Sequence, residues 1–234
     1  MHYFYNMFTL LDNPVHNALV SGDAKLSRGS GRVRFFDKEV SPFAAFETGY
    51  EKGFEDLYAQ LPAGRKILFA TRSKIAKPKG WKMINEIEGS QFVLRSKINI
   101  ATSTRELVSL DAEHAEEMVK LAALTKPGPF DLRTIEFGNY YGIFENKKLV
   151  AMTGERLHVH EFTEVSAVCT HPDHTGRGYA AALLNHQLDL ILAKNQKPFL
   201  HVRSDNERAI TLYERIGFIT NGPMNFYYLQ RTAQ

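Results

Sequence analysis

Hydrophobic residues recur at helical spacing in parts of this chain and form short β-branched runs in others. Helical spacing covers residues 111–124 and 178–194, and two prolines and a glycine within 126–129 end the first of these helices. The intervening pattern predicts strands at 140–145, 149–157, 164–170, 198–202 and 226–229, and a further helix at 207–216. The carboxy-terminal half is therefore predicted to alternate strands and helices, as in the α/β class.

The first hundred residues carry a weaker pattern. Short strands are predicted at 33–36 and 67–69 and a helix at 42–60, with turns at Gly80 and Gly89. The segment is too apolar and aromatic to be a disordered tail. We expect a boundary between residues 97 and 104, which separates an amino-terminal α/β domain or cap (1–100) from a second domain (101–234). Two interpretations of the first part stay open: a degenerate second copy of the same fold, or a cap that completes a substrate site.

Composition narrows the class of protein. The chain has 234 residues, of which 44% are hydrophobic and 24% charged, and its net charge is +3. These values are ordinary for a soluble globular protein, and the charge is too small to indicate nucleic acid as a partner. Residues 1–11 lack the basic flank of a signal peptide, no apolar run is long enough to suggest a membrane span, and a single cysteine rules out an intrachain disulfide. We expect a cytoplasmic protein that is not bound to a membrane.

Residues 164–184 carry the strongest chemical signal. A β-branched run enters a proline-bounded turn with Gly176 and Gly178 and leaves as an alanine-rich helix. Unpaired amides at a helix start, reached through glycines, suit an anionic ligand such as a pyrophosphate. The turn fits neither the Walker pattern, because Tyr179-Ala180 comes after it, nor the three-glycine dinucleotide fingerprint. A helix cap without a ligand is the alternative interpretation.

The glycine turn and a second motif near residue 210 together have a known likeness. Thr175-Gly176-Arg177-Gly178-Tyr179-Ala180 resembles the coenzyme A signature of the GNAT N-acetyltransferase superfamily, although Thr175 stands where that signature has Arg or Gln. Asn206 and the run from Leu212 to Phe218 resemble its second signature. The resemblance covers about residues 103–230 and is nearest to the branch with glycine N-acyltransferase-like proteins. It implies a central mixed, splayed sheet flanked by helices, here with an amino-terminal α/β extension.

The resemblance also implies an activity. We expect acetyl-CoA to be the acyl donor and a small-molecule amine or a peptide amine to be the acceptor, with direct attack in a ternary complex of a monomer or homodimer. No metal is implied, and the clustered histidines at 158–174 lack a metal-site spacing. The alternative from another class is an acyl-CoA sensor or scaffold without turnover, which the Thr175 departure favours.

The resemblance assigns roles to individual residues. Glu164 is the candidate general base, with Glu155 and His160 in reserve, and Tyr213 is the candidate acid for the leaving thiolate. The residues expected to bind the cofactor are Val168, Cys169, Thr170, Thr175, Gly176, Arg177, Gly178, Tyr179, Ala180 and Asn206. Four of these assignments have a structural alternative: Glu164 as an exposed strand glutamate, Tyr213 as a core tyrosine, Asn206 as a helix cap and Cys169 as a small core residue.

Overall fold

A computed structural model describes residues 9–100 and 103–233. The prediction about the signal-peptide flank and part of the predicted domain boundary therefore lie outside the described residues. The α-helices are α1 (Pro14–Leu19), α2 (Gly53–Gln60), α3 (Ala115–Thr125), α4 (Tyr179–Ala193) and α5 (Glu207–Ile216). The strands are β1 (Ser27–Arg28), β2 (Val33–Phe36), β3 (Ala44–Phe46), β4 (Lys66–Thr71), β5 (Trp81–Leu94), β6 (Val108–Leu110), β7 (Tyr140–Glu145), β8 (Lys148–Val159), β9 (Phe162–Thr170), β10 (Lys197–Arg203) and β11 (Phe218–Arg231).

Eight of the strands form one mixed sheet in the order β4-β11-β5-β10-β9-β8-β7-β6, and β1, β2 and β3 form a small antiparallel sheet. Within the large sheet, β9 and β10 are parallel and the other neighbours are antiparallel. The predicted mixed α/β architecture is confirmed.

Helices cover both faces of the large sheet. Side chains of α1 and α3 pack in one hydrophobic cluster, and those of α4 and α5 pack in another. Strand β10 shows the division, because Phe199 belongs to the first cluster whereas Leu200 and Val202 belong to the second. Successive residues of a strand point to opposite faces, so the two clusters lie on opposite sides of the sheet.

Two strands from the first hundred residues, β4 and β5, belong to the large sheet. Strand β5 is hydrogen-bonded to β10 on one side and to β11 on the other, and β4 forms the edge beyond β11. The sheet therefore runs across the predicted domain boundary. The predicted helix at 42–60 is wrong in its first half, where β3 lies, because α2 begins only at Gly53. Strand β5, the middle of this half of the sheet, was predicted only as turns.

No helix in the described ranges is long and apolar enough to cross a bilayer.

Candidate active site

Strands β9 and β10 separate partway along the sheet. Their pairing covers only Lys197–Phe199 of β10 against Phe162–Glu164 of β9, although β9 continues to Thr170 and β10 to Arg203. A cavity of about 480 Å³ lies between the diverging ends and is lined by both strands together with residues of α3, α5 and β11. Past Glu164, the edge of β9 that faces β10 pairs with no strand in the part of the chain that the structure describes. Its main-chain groups are therefore available to a ligand.

A β-bulge bends strand β9 beside this cavity. The register against β8 shifts by one extra residue on β9 between Ser166 and Cys169, and Ala167 takes a left-handed backbone with φ of 54°. Such bulges are common next to active sites. Val168 lines the cavity, whereas Cys169 belongs to the hydrophobic core and burial raises the pKa of its thiol to about 11. The Cys169 side chain is thus core filler, and the expected cofactor contact would come from its backbone.

Strand β9 leads directly into the glycine turn. Gly176 and Gly178 have φ of 79° and 76°, in the region that glycine adopts without strain, and Gly178 is the N-cap of α4. No side chain caps this helix, so its first amides keep their donors for a ligand. A Cβ added at Gly176 would meet no atom within 4 Å, which shows that the turn is open on that side.

The side chains of the turn point to neighbours rather than across it. The Thr175 hydroxyl donates to the carbonyl of Pro172 at 3.0 Å, and the Tyr179 hydroxyl donates to Glu145 Oε1 at 2.5 Å. Arg177 is exposed and contacts the carbonyl of Asp173 at 3.4 Å. Any cofactor contact from Thr175 or Tyr179 would therefore be through the main chain.

Helix α5 brings two predicted residues to the cavity. Tyr213 lines it and is 8% exposed, and burial raises the pKa of its phenol above the ordinary value. Within the described part of the chain, the Tyr213 hydroxyl has no hydrogen-bond partner. Asn206 is the N-cap of α5 and accepts from the Ala209 amide at 3.2 Å. It also lines the cavity, so the cap and the cofactor contact are compatible.

Comparison with known proteins places this arrangement in a family. A model of the FR47-like protein family matches residues 140–227. A crystal structure of a GNAT-family acetyltransferase from Novosphingobium aromaticivorans DSM 12444 is 32% identical, covers 96% of this chain and 99% of that one, and superposes with a TM-score of 0.87. The chain belongs to the GNAT family. The predicted superfamily is confirmed.

Other GNAT relatives are more distant. The spermidine N(1)-acetyltransferase of Vibrio cholerae is 34% identical over 67 residues, which span 28% of this chain and 38% of that protein. A GCN5-related N-acetyltransferase from Kribbella flavida is 14% identical over 96% of both chains, with a TM-score of 0.63, and shows the fold alone.

The predicted base of this GNAT protein lies in a buried ion pair. Glu164 is fully buried, and its carboxylate accepts from Arg156 Nε at 2.8 Å and from Nη2 at 2.6 Å, as well as contacting His201 Nδ1 at 2.7 Å. Burial alone would raise the pKa of Glu164, but the Arg156 charge and the His201 contact outweigh it and hold the pKa at about 2. Glu164 is thus not an exposed strand glutamate, and a carboxylate so occupied is a weak proton acceptor near neutral pH.

His201 and Gln91 were not singled out from the sequence. His201 lines the cavity, and its Nε2 lies 2.9 Å from Gln91 Nε2. Gln91 is fully buried, and its Oε1 accepts from Arg72 and Asn221, each at 2.7 Å. Since the Gln91 amide nitrogen donates to His201 Nε2, the His201 proton is placed on Nδ1, facing Glu164. No motif marks this chain of polar groups, because it joins strands that are far apart in sequence.

The reserve residues lie elsewhere. Glu155 accepts from Asn139 at 2.6 Å and Gln187 at 3.0 Å, and lies 3.1 Å from His158 Nε2. His158 Nδ1 lies 2.6 Å from Asp23 Oδ1. Burial alone would lower the pKa of His158, but its two carboxylate partners raise it to about 9.

Asp23, Glu155 and His158 connect the amino-terminal segment to β8, and none of these three residues lines the cavity between β9 and β10. His160 lies at the β8–β9 turn, is exposed and has φ of 50°. Among the described residues, no group of three His, Cys, Asp or Glu side chains converges as a metal site would require.

Proposed function

We propose that this protein transfers an acetyl group from acetyl-CoA to an amine by direct attack within a ternary complex. The observation that carries the proposal is the opening between β9 and β10. The unpaired edge of β9 and the side of Tyr213 border one cavity, and β9 continues into the amides of the glycine turn. In this proposal the turn holds the pyrophosphate, the β9 edge holds the pantetheine arm and the acetyl group lies in the cavity.

The chemistry is set by these positions. The nitrogen of a neutral amine attacks the thioester carbon, and the carbonyl oxygen takes up negative charge beside the main chain of Val168 and Thr170. The carbon–sulfur bond then breaks and the amide forms, the attacking nitrogen releases a proton to water, and the thiolate accepts a proton. Tyr213 is the donor we propose, because burial keeps its phenol protonated and its hydroxyl is free of other partners in the described chain.

We assign Glu164 a positioning role and not that of the direct base. Its carboxylate oxygens are engaged by Arg156 and His201, so it holds both side chains at the cavity wall. The amine then loses its proton to water. The prediction that Glu164 itself removes this proton is decided by the pH profile of its glutamine variant, described in the Discussion.

Narrower predictions accompany the proposal. Kinship with glycine N-acyltransferase-like proteins, a cytoplasmic location and a monomeric or homodimeric state stay predictions. Binding without turnover is the second candidate function, favoured by one observation: Thr175 stands where the signature has Arg or Gln, and its hydroxyl donates to the carbonyl of Pro172.

The test combines calorimetric titration with acetyl-CoA and an assay of thiol release over a panel of amines. We expect binding, turnover, and a loss of turnover of about 10²- to 10⁴-fold in Tyr213→Phe with cofactor affinity unchanged. Unchanged turnover in that variant removes Tyr213 from the mechanism. Binding with no thiol release from any amine selects the sensor instead.

A further inference from the structure

A second cavity adjoins the first on the side of the amino-terminal segment. It measures about 430 Å³ and shares Pro129, Phe130 and Tyr228 with the cavity between β9 and β10. Its remaining wall comes from Lys38, from residues 40–42, from 64–66 and from Asp131 and Thr134. Residues of the first hundred thus line a cavity that shares a wall with the proposed reaction site.

The charges of this second cavity are mostly positive. Lys38, Arg65 and Lys66 line it, and Asp131 is the acidic residue among the lining side chains. Asp131 Oδ1 accepts from the Leu132 amide at 2.7 Å, so this carboxylate is engaged in a local turn. Lys38 and Lys66 are exposed, and neither has an ion-pair partner within the described ranges. The lining therefore carries three cations and the Asp131 carboxylate, and the charge of Asp37, which does not line the cavity, also acts on Arg65.

Arg65 is placed to bind a ligand. Its Nη2 donates to the carbonyl of Phe36 at 2.9 Å, which fixes the guanidinium. Its Nε is buried and has no hydrogen-bond partner in the described part of the chain. A buried donor without a partner is costly, and an anionic group beside the guanidinium would offset that cost through its charge.

The cavity between β9 and β10 is poorly suited to bind a second positive charge on the acceptor. Of the residues that the structure describes, no Asp or Glu lines it. Its cations are Lys126, Arg156, which is paired with Glu164, and Arg203, which is paired with Asp205 at 2.6 Å. Much of the remaining wall on the side of the second cavity is aromatic, from Phe43, Phe130 and Phe226. An acceptor with several positive charges would find apolar rings and cations along its length.

We propose that the acceptor is an amine with an apolar stem and an anionic group at its far end. The stem lies against the aromatic wall, and the anionic end lies in the second cavity beside Arg65, Lys38 and Lys66. This inference rests on the proposed function, because it assumes that the amine reacts in the first cavity. It separates this chain from the Vibrio cholerae relative, whose name specifies a polyamine acceptor.

Three acceptors of equal length test the charge of the far end. They are 6-aminohexanoate, hexylamine and 1,6-diaminohexane, each assayed with acetyl-CoA by thiol release, together with their longer homologues. We expect the KM to be lowest for the amino acid and highest for the diamine, with a difference of about tenfold for each change of charge. Equal KM values, or a preference for the diamine, overturn the proposal.

Variants locate the effect. Arg65→Gln is expected to remove the preference for the amino acid over hexylamine, measured as the ratio of their KM values. The matched control is Arg32→Gln, an exposed residue that is paired with Glu47 and lines neither cavity. If Arg65→Gln does not fold, the double variant of the exposed Lys38 and Lys66 to Gln is used, with the same expectation. A preference that survives these changes refutes the assignment of the second cavity.

A failure of catalysis is distinguishable from a failure of this inference. If acetyl-CoA binds but none of the amines is acetylated, the proposed function fails. The three ligands are then titrated by calorimetry into protein saturated with coenzyme A. Binding of 6-aminohexanoate that Arg65→Gln weakens about tenfold supports the anionic subsite. Equal binding of all three, or no binding, overturns it.

Discussion

Replacing Glu164 by Gln tests the buried ion pair between Glu164 and Arg156, the latter of which lines the cavity between β9 and β10. The carboxylate is fully buried, and its partner Arg156 has an 11% exposed side chain. The amide removes the negative charge and leaves the guanidinium without compensation. Breaking a buried pair in this way costs about 3–5 kcal/mol of the free energy of unfolding.

The pKa of Glu164 gives an independent magnitude. A value of about 2 in the folded chain, against 4.5 for an ordinary glutamate, corresponds to about 3 kcal/mol of stabilisation at neutral pH. Because the folded pKa lies below the ordinary one, this contribution is complete above about pH 4.5 and is lost as the pH falls towards about 2. The cost expected for breaking the buried ion pair and the stabilisation derived from the pKa of Glu164 therefore agree.

Urea unfolding at pH 7 measures the loss in Glu164→Gln. The control is Glu161→Gln, whose carboxylate is 40% exposed and 3.5 Å from Lys197, and we expect it to lose less than about 1 kcal/mol. The double variant of Arg156→Met with Glu164→Gln should be more stable than Glu164→Gln alone, since no uncompensated charge remains. A loss below about 1 kcal/mol in Glu164→Gln refutes this account of the ion pair.

The same variant decides the role of Glu164 in catalysis. If the carboxylate only positions Arg156 and His201, the pH profile of activity keeps its shape although its height falls. If Glu164 takes the proton from the amine, the profile moves to higher pH, because free amine must then come from solution. The profile is measured at temperatures where the variant is still folded.

Three other substitutions probe the turn and the histidine cluster. Gly178→Asp places a carboxylate at the N-cap where the pyrophosphate is expected, so calorimetry should show affinity for coenzyme A weakened by more than about tenfold; unchanged affinity would contradict the phosphate-turn assignment. Thr175→Arg introduces one of the two residues that the signature has at this exposed position and should strengthen that affinity by about three- to tenfold, whereas no gain would mean that main-chain contacts suffice. The raised pKa of His158, about 9 against 6.5, stabilises the fold fully below about pH 6.5 and is lost as the pH rises through about 9, so unfolding experiments should show about 3 kcal/mol of pH-dependent stability that His158→Gln removes and His160→Asn retains. Equal pH dependence in the two histidine variants would contradict the assignment.

Local sequence signals predicted the elements that are built from local contacts. The turn at Gly178 and the start of α4 at Tyr179 are explained by glycine and helix-capping chemistry within a few residues. Strand β7 was predicted with its observed limits because the hairpin turn defines it. These features depend on few distant residues.

The features that the sequence did not predict depend on partners far along the chain. The first half of β5, from Lys82 to Glu88, has exposed residues on both faces and no clear period of two, and it is a strand because β11 pairs with it. The bond from His201 to Glu164 joins neighbouring strands that no short motif connects. Arg156 lies only eight residues before Glu164 in the same hairpin, where β8 has a bulge between Glu155 and His158 that a strict alternation of faces does not predict.

The position of β5 between β10 and β11 has a consequence for the order in which the protein can be made. During synthesis β5 leaves the ribosome long before either neighbour, and its first residue, Trp81, pairs with Arg231 of the last strand. Until β10 emerges, a fourteen-residue strand has both edges unpaired, and the edge that faces β11 stays unpaired until β11 follows. Such long-range pairing slows folding and exposes the nascent chain to aggregation. We therefore expect residues 81–94 to need protection from aggregation in the cell until β11 has been translated.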